Sequence, residues 1–410
     1  MLMKKLLILA IMFVASATAF AGDSDALKAI LKAKTYAEAE NLLKTTLGQL
    51  ANDEEKAEAY NKLVSLAMDA FDEQDKVRLT NQTLGKNDPV DTKTMYEAAY
   101  NALTNAMECD KYDQLPNAKG KIKPRFHDKN LSRLAAARLA VINAGVEAAN
   151  SQDNVNGYKY FRMYLTSAES PLFAGSDQIK NDANLGLASY YAGRCAILNE
   201  DYGAAADALN VALNDTNAEI RNGAFDFKLY AMNRSQKTAA DSAKFLNDMK
   251  ELFKQYPNNE KVFGSLGDAL LSQEKTAELV ALCDANPQLP LAGIYKGMVA
   301  MNDKKYDEAI AAFSNISPDH GSYLQVVYNR AICKLNKAGD FQDSHANKNT
   351  GAMTPADEAT LKQLLNDARA DFEKARELDP DQQNVRWAAL LRNIYYNLGE
   401  EEKYKELENM

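Results

Sequence analysis

Apolar residues recur along this chain at intervals of three and four, with polar residues between them. From Asp367 to Pro380, Ala368, Phe372 and Ala375 stand as i, i+4 and i+7, which places them on one face of a helix. Two small residues around one aromatic define a shape: the small positions admit a neighbouring helix closely, and the ring fills the remaining gap. Pro380 then ends the helix, because proline lacks the N–H that continuation needs. The same face occurs at Ala309, Phe313 and Ile316 before Pro318, and again at Ala205, Leu209 and Ala212. In both places a tyrosine, Tyr306 or Tyr202, stands three residues before the first alanine, and a glycine, Gly297 or Gly193, stands twelve before it.

The predicted unit is therefore a first helix with a small residue at its crossing point, a short polar turn, and a second helix with the alanine–ring face. This resembles the tetratricopeptide repeat, a helix-turn-helix unit of about 34 residues. Two further units fit between the matches. One has its first helix around Phe225–Met232 and its second at Phe245, Met249 and Leu252; the other carries Phe263, Leu266, Gly267 and Leu270. The resemblance implies an all-α, right-handed superhelical solenoid over residues 176–410, closed by a capping helix over 383–398 that carries Trp387, Leu391 and Tyr395. Residues 22–175 read as a divergent helical region. There Tyr36, Ala39 and Leu43 repeat the second-helix face, and Ala57–Phe71, Thr94–Met107 and Leu131–Ala149 show helical spacing.

Two segments break the pattern. The unit with Ala331 in its first helix meets its next alanine at Ala368, which is 25 residues late. The extra segment includes the polar stretch 339–355, read as a loop, with Thr354-Pro355 starting the delayed helix. Insertions of this kind lie at one edge of a solenoid, as binding elements or as tolerated surface loops. The second is a basic loop over 115–130, with Lys119, Lys121, Lys123, Arg125 and Lys129 among Pro116, Gly120 and Pro124. It docks an acidic partner or a headgroup surface, or contacts the acidic solenoid of the same chain, or is a solvated linker. Ser170-Pro171-Leu172-Phe173-Ala174-Gly175 reads as a further boundary.

The resemblance implies that first-helix side chains line a concave groove for a protein or peptide segment. In that register the groove includes Leu187, Tyr190, Arg194 and Ile197, then Lys261 and Asp268, Ile294 and Met298, and Tyr328 and Ile332.

Charge and composition narrow the class. The chain has 410 residues with 26% charged residues and a formal net charge of −9, which disfavours non-specific binding to nucleic acid and to anionic lipid. The three histidines, His127, His320 and His345, have no metal-ligand spacing, and no nucleophile elbow, dinucleotide or P-loop motif occurs. The expectation is a protein that is not an enzyme and needs no cofactor. Four cysteines, Cys109, Cys195, Cys283 and Cys333, lie in separate helical segments; they read as disulfides or, preferably, as core thiols. The main expectation is a protein-interaction scaffold. A glycan- or nutrient-binding protein and a holdase chaperone are the alternatives, the first kept open by 20 tyrosines but weakened by a single tryptophan.

The start, MLMKKLLILAIMFVASATAFA, has the basic, apolar and Ala-Phe-Ala regions of a secretory signal peptide over residues 1–21. No other stretch is long and apolar enough for a membrane span. The expected location is the bacterial periplasm or the periphery of the outer membrane. N-terminal sequencing of the protein from an osmotic-shock fraction should begin at Gly22; a chain still carrying Lys4 and Lys5 overturns the export reading.

Overall fold

A computed structural model describes residues 23–117, 119–348 and 350–408, so the expected signal peptide lies outside the described residues. Among these residues the secondary structure is helical, with no strand. The chain divides into two compact units, the first ending at Arg234 and the second starting at Ser235. The first holds α1 (Asp25–Lys32), α2 (Tyr36–Thr46), α3 (Asp53–Leu84), α4 (Thr92–Asp113), α5 (His127–Arg133), α6 (Ala135–Asn150), α7 (Asn154–Glu169), α8 (Asp177–Lys180), α9 (Leu185–Leu198), α10 (Tyr202–Ala208) and α11 (Ala218–Arg234). The second holds α12 (Ala239–Gln255), α13 (Glu260–Ser272), α14 (Thr276–Ala285), α15 (Pro290–Asn302), α16 (Tyr306–Ser314), α17 (Tyr323–His345), α18 (Pro355–Leu378), α19 (Ala388–Leu398) and α20 (Glu401–Glu406).

The repeat is visible in the contact that the sequence pattern demands. A Cβ placed on Gly193 would lie 2.3 Å from Leu209 Cγ, and one on Gly297 would lie 2.4 Å from the Phe313 ring. In each pair the large residue stands sixteen positions after the glycine. The same spacing joins Gly145 of α6 to Phe161 of α7, where an added Cβ would meet the ring at 2.8 Å. The regular unit therefore begins inside the region read as divergent.

Gly267 departs from the rule. Sixteen residues on stands Cys283, too short to reach, and the Tyr295 ring from α15 fills the space instead, 2.4 Å from where a Cβ would be. The Tyr295 hydroxyl lies 2.7 Å from both the Gly264 carbonyl and Asp268 Oδ1.

A second regularity lies in the turns. Gln152, Glu200, Glu274 and Lys304 have φ of 62, 60, 57 and 60°. Each stands seven residues after Gly145, Gly193, Gly267 or Gly297. The next N–H closes the turn on the preceding helix: Asp153 to the Ala148 carbonyl, Asp201 to Ala196, Lys275 to Leu270 and Lys305 to Ala300, at 2.8–2.9 Å. This is the hydrogen bond of a Schellman end. It holds a left-handed residue that is not glycine, a conformation that costs about 1–2 kcal/mol by itself.

Several boundaries differ from the sequence expectation. The unit break falls after Arg234 and not at 175, and α11 and α12, read as one repeat, belong to different units. Ser170–Gly175 is no linker, because Leu172 and Phe173 are buried in the first unit's core. Asp182 pairs with buried Arg138 at 2.6 Å and accepts from the Tyr164 hydroxyl at 2.7 Å, which binds this segment to α6 and α7. Residues 339–345 are helical, with Phe341 stacked on His345 and Ser344 Oγ bonded to the Asp340 carbonyl. The insertion thus lengthens α17 and α18, with the described residues 346–348 and 350–354 outside both helices, and Thr354 caps α18 as expected. Arg330 and Lys334 of α17 hold buried Asp371 of α18 at 2.7 Å each, fixing the register of this long pair.

The capping helix starts at Ala388, not 383. Residues 380–387 fold around Asp379, whose carboxylate accepts N–H bonds from Gln383, Asn384 and Val385 at 3.0, 2.8 and 2.9 Å, while the Trp387 indole donates to its carbonyl. Burial opposes ionisation of Asp379, but these donors outweigh it and hold the carboxyl below its ordinary value of 3.8. Repeat-defining Ala205, Leu209, Ala212, Ala309, Phe313, Ala368, Phe372 and Ala375 are all buried. Tyr202 and Tyr306 are half-buried.

Two tests follow from the crossing and the Asp379 knot. Gly297→Ala should destabilise the protein by about 1–3 kcal/mol in urea melts, because the Phe313 ring must move. Gly264→Ala, facing only the flexible end of Leu291 at 3.1 Å, should be neutral or stabilising by up to about 1 kcal/mol. Equal effects at both sites would mean that helix propensity alone is being read. Because the Asp379 carboxyl titrates lower when folded, its contribution is present above pH 3.8 and is lost as pH falls through the folded value. Asp379→Asn should therefore lower the thermal midpoint at neutral pH and flatten its decline on the acid side.

Candidate interaction surfaces

The groove residues inferred from the repeat register do not form one class of side chain. Arg194 and Lys261 are exposed. Asp268 is exposed as well, but its carboxylate already accepts from Tyr295. Tyr190 packs against Tyr191 and Phe227 with ring centroids 5.4 Å away, and it covers Gly223. Tyr328 meets the Phe372 ring edge-on at 5.9 Å, with its hydroxyl bonded to the Arg386 carbonyl. Ile294 is buried in a cluster with Phe313 and Val326, so it belongs to the core and not to a groove; Met298 packs partly against the same cluster. Leu187, Ile197 and Ile332 are half-buried. The larger of these side chains are used to pack one helix on another: Tyr190 on the next first helix, α11, and Tyr328 on α18, the second helix of its own pair.

What the sequence reading missed lies one repeat earlier. Leu139 and Val146 of α6 are 52% and 41% exposed, and Leu198 of α9 is 55% exposed. Leu139 stands six residues before Gly145, as Leu187 stands before Gly193; Val146 follows Gly145 as Arg194 follows Gly193. The signal was the Gly145–Phe161 spacing, hidden because the alanine position between them is Gly157.

The basic segment is a built structure. Asn117 Oδ1 accepts the N–H groups of Lys119 and Lys121, and the Asn117 N–H donates to the Lys121 carbonyl, closing a turn in which Gly120 has φ 68°. At the far end the buried Asp113 carboxylate accepts from the N–H groups of Arg125, Phe126 and His127 at 2.7–3.1 Å. His127 Nδ1 lies 2.6 Å from Asp110. The loop is thus shorter than 115–130, because Lys129 sits on α5. Arg125 is used internally, donating to Glu58 at 2.9 Å. Among the described residues Lys119, Lys121 and Lys123 are exposed and carry no ion pair, and Ile122 between them is 58% exposed. A cleft of about 170 Å³ beneath is lined by Tyr112, Asn117, Lys123 and Arg125 and by Asp53 and Glu54 of α3.

A larger cleft of about 520 Å³ lies among α12, α13 and α14, floored by Phe253, Leu266, Leu270 and Leu282. Its rim charges cancel one another, Lys250 with Glu278 at 2.7 Å and Lys254 with Glu251 at 2.6 Å. The four cysteines are free and buried. Burial pushes the thiols up, Cys109 to about 12 and Cys283 and Cys333 to about 11, and they pack as small apolar groups. His320 bridges Glu260 and the Ser322 N–H, a tie within the second unit. Among the described residues no three His, Cys, Asp or Glu side chains converge to hold a metal, and no helix is long and apolar enough to cross a membrane.

No family model matches the chain, and no curated protein matches it. Among solved structures it is similar to a TPR repeats protein from Bacteroides fragilis NCTC 9343, at 14% identity over 65% of this chain and 98% of that one, with a TM-score of 0.32. It is also similar to Naa15/Naa10 bound to HypK-THB, at 13% identity over 90% of this chain and 59% of that one, TM-score 0.28. A third is the P58(IPK) TPR domain, at 12% identity over 92% and 94% of the two chains, TM-score 0.25. The chain's own glycine–ring spacing and turn geometry define an all-α protein built of repeated helix pairs.

Proposed function

We propose that this protein is a non-catalytic scaffold that binds a segment of another protein, exported to the bacterial envelope. The observation that carries this is a set of exposed apolar side chains on two first helices: Leu139 and Val146 on α6, and Leu198 on α9, four residues beyond the position that matches Val146. Exposed leucine and valine on a helix cost solubility and contribute nothing to the fold, so a row of them fits a surface that is covered in use. The neighbouring Arg194 supplies a cation that would orient the bound segment. Little ordering cost falls on the protein, because the closely crossed helices already hold these side chains in place. The export half of the proposal is supported by the signal-like N-terminus.

The glycan reading is less well supported. Many rings of the first unit are used on one another, as in Tyr96–Tyr160, Phe161–Tyr191 and Tyr190–Phe227.

Photo-crosslinkers at Val146 and Leu198 should capture a small set of envelope proteins in living cells. Leu139→Asp combined with Val146→Asp should reduce capture by the Leu198 probe at least tenfold and leave the circular-dichroism melt unchanged. Capture that persists in the double variant would remove this row from the binding surface.

A further inference from the structure

The basic turn between α4 and α5 carries a role separate from the helix-face row. We infer that Lys119, Lys121, Ile122 and Lys123 form a docking tip for an anionic lipid surface.

The tip is pre-formed. Asn117 pins the N–H groups of Lys119 and Lys121, Gly120 supplies the left-handed corner, and Asp113 collects three N–H groups at the other end. None of the three lysines forms an ion pair among the described residues, so their charge is not cancelled in place. Arg125 pairs with Glu58 of α3, and Lys123 shares a cleft with Asp53 and Glu54 without pairing to either.

The choice of lipid over an acidic protein rests on residue type. Protein interfaces favour arginine, whose planar fork grips carboxylates in pairs, and are depleted in lysine. A diffuse layer of headgroups needs only point charges held near it. Here the arginine is engaged with Glu58, and the cations of the turn without an ion pair among the described residues, Lys119, Lys121 and Lys123, are all lysines. Ile122 is 58% exposed between two of them, and an apolar side chain flanked by ammonium groups suits the boundary between headgroups and acyl chains. The chain as a whole is acidic, so this tip is where an anionic surface meets attraction rather than repulsion.

The test uses protein expressed from the full-length chain, with wild type and variants sharing one N-terminus so that only the tip differs. Co-sedimentation with phosphatidylglycerol–phosphatidylcholine vesicles is compared with pure phosphatidylcholine. Wild type should bind the anionic vesicles only, and binding should weaken as salt rises. Removing each lysine should lower the partition coefficient about fivefold, so K119Q/K121Q/K123Q should abolish measurable binding. Ile122→Ser should weaken binding several-fold without changing the salt dependence. Unchanged binding by the triple variant, or equal binding to neutral vesicles, overturns the proposal. So does retention on polyglutamate resin that matches vesicle binding and ignores Ile122→Ser, which would assign the tip to an acidic protein.

Discussion

Three of the helix pairs depend on one contact, a glycine in the first helix pressed against a large side chain sixteen residues later in the second. At Gly145, Gly193 and Gly297 there is no room for even a methyl group unless the facing Phe161, Leu209 or Phe313 moves. That contact sets the distance between paired helices and hence the face each presents to the next pair. Its partner constraint is the turn. A left-handed residue seven positions after the glycine, closed by a backbone bond onto the preceding helix, brings the chain back at a fixed angle. The left-handed residues are Gln, Glu, Glu and Lys, none chosen for that conformation, so the packing of the pair and the closing hydrogen bond must outweigh its local cost.

This explains what could be read from the sequence and what could not. The alanine–ring face and its glycine are short-range patterns in which the residue types carry the geometry, and Gly193, Gly297, Phe313 and Phe372 could be placed from spacing alone. Gly145 and Phe161 obey the same rule, but Gly157 replaces the alanine and conceals it. Segments with polar or loop-like composition misled wherever distant partners decided the outcome. Ser170–Gly175 looks like a linker, yet Leu172 and Phe173 are core residues. Gly339–His345 looks like a loop, yet it continues a helix whose mate α18 is equally long. The groove residues were least legible, because a register position gives the direction of a side chain and not what lies against it. Ile294, Tyr190 and Tyr328 point where the repeat predicts and meet a neighbouring helix there.

Charge is used in two distinct ways. Buried pairs bind segments that the repeat alone would leave undetermined: Arg138 with Asp182 holds the stretch between α7 and α9, and Arg330 and Lys334 with Asp371 hold the lengthened α17–α18 pair. Such pairs add little net stability, since desolvation offsets much of the attraction, but they penalise a shifted register heavily because a shift leaves a buried charge alone. Surface charges mostly pair within one helix or with its neighbour, as around the cleft of α12–α14. Against that background the lysines of the basic turn stand apart: exposed, with Lys119 and Lys121 held through their N–H groups, and without an ion pair among the described residues.

The division of labour between these features bears on what the protein can recognise. A stack built on close crossings uses its aromatic and β-branched residues for internal packing, so the side chains left for a partner are those at positions the crossing does not need. In the first unit these include Leu139, Val146, Arg194 and Leu198, apolar with one cation; at the basic turn they are lysines around one isoleucine. The two chemistries answer different demands. The apolar row gains by excluding water along a matching chain segment, and tolerates salt. The lysine tip gains from a field that salt screens within about 8–10 Å. A protein holding both can fix its position at a charged boundary through one and select a partner through the other, and ionic strength would separate the two activities without unfolding either.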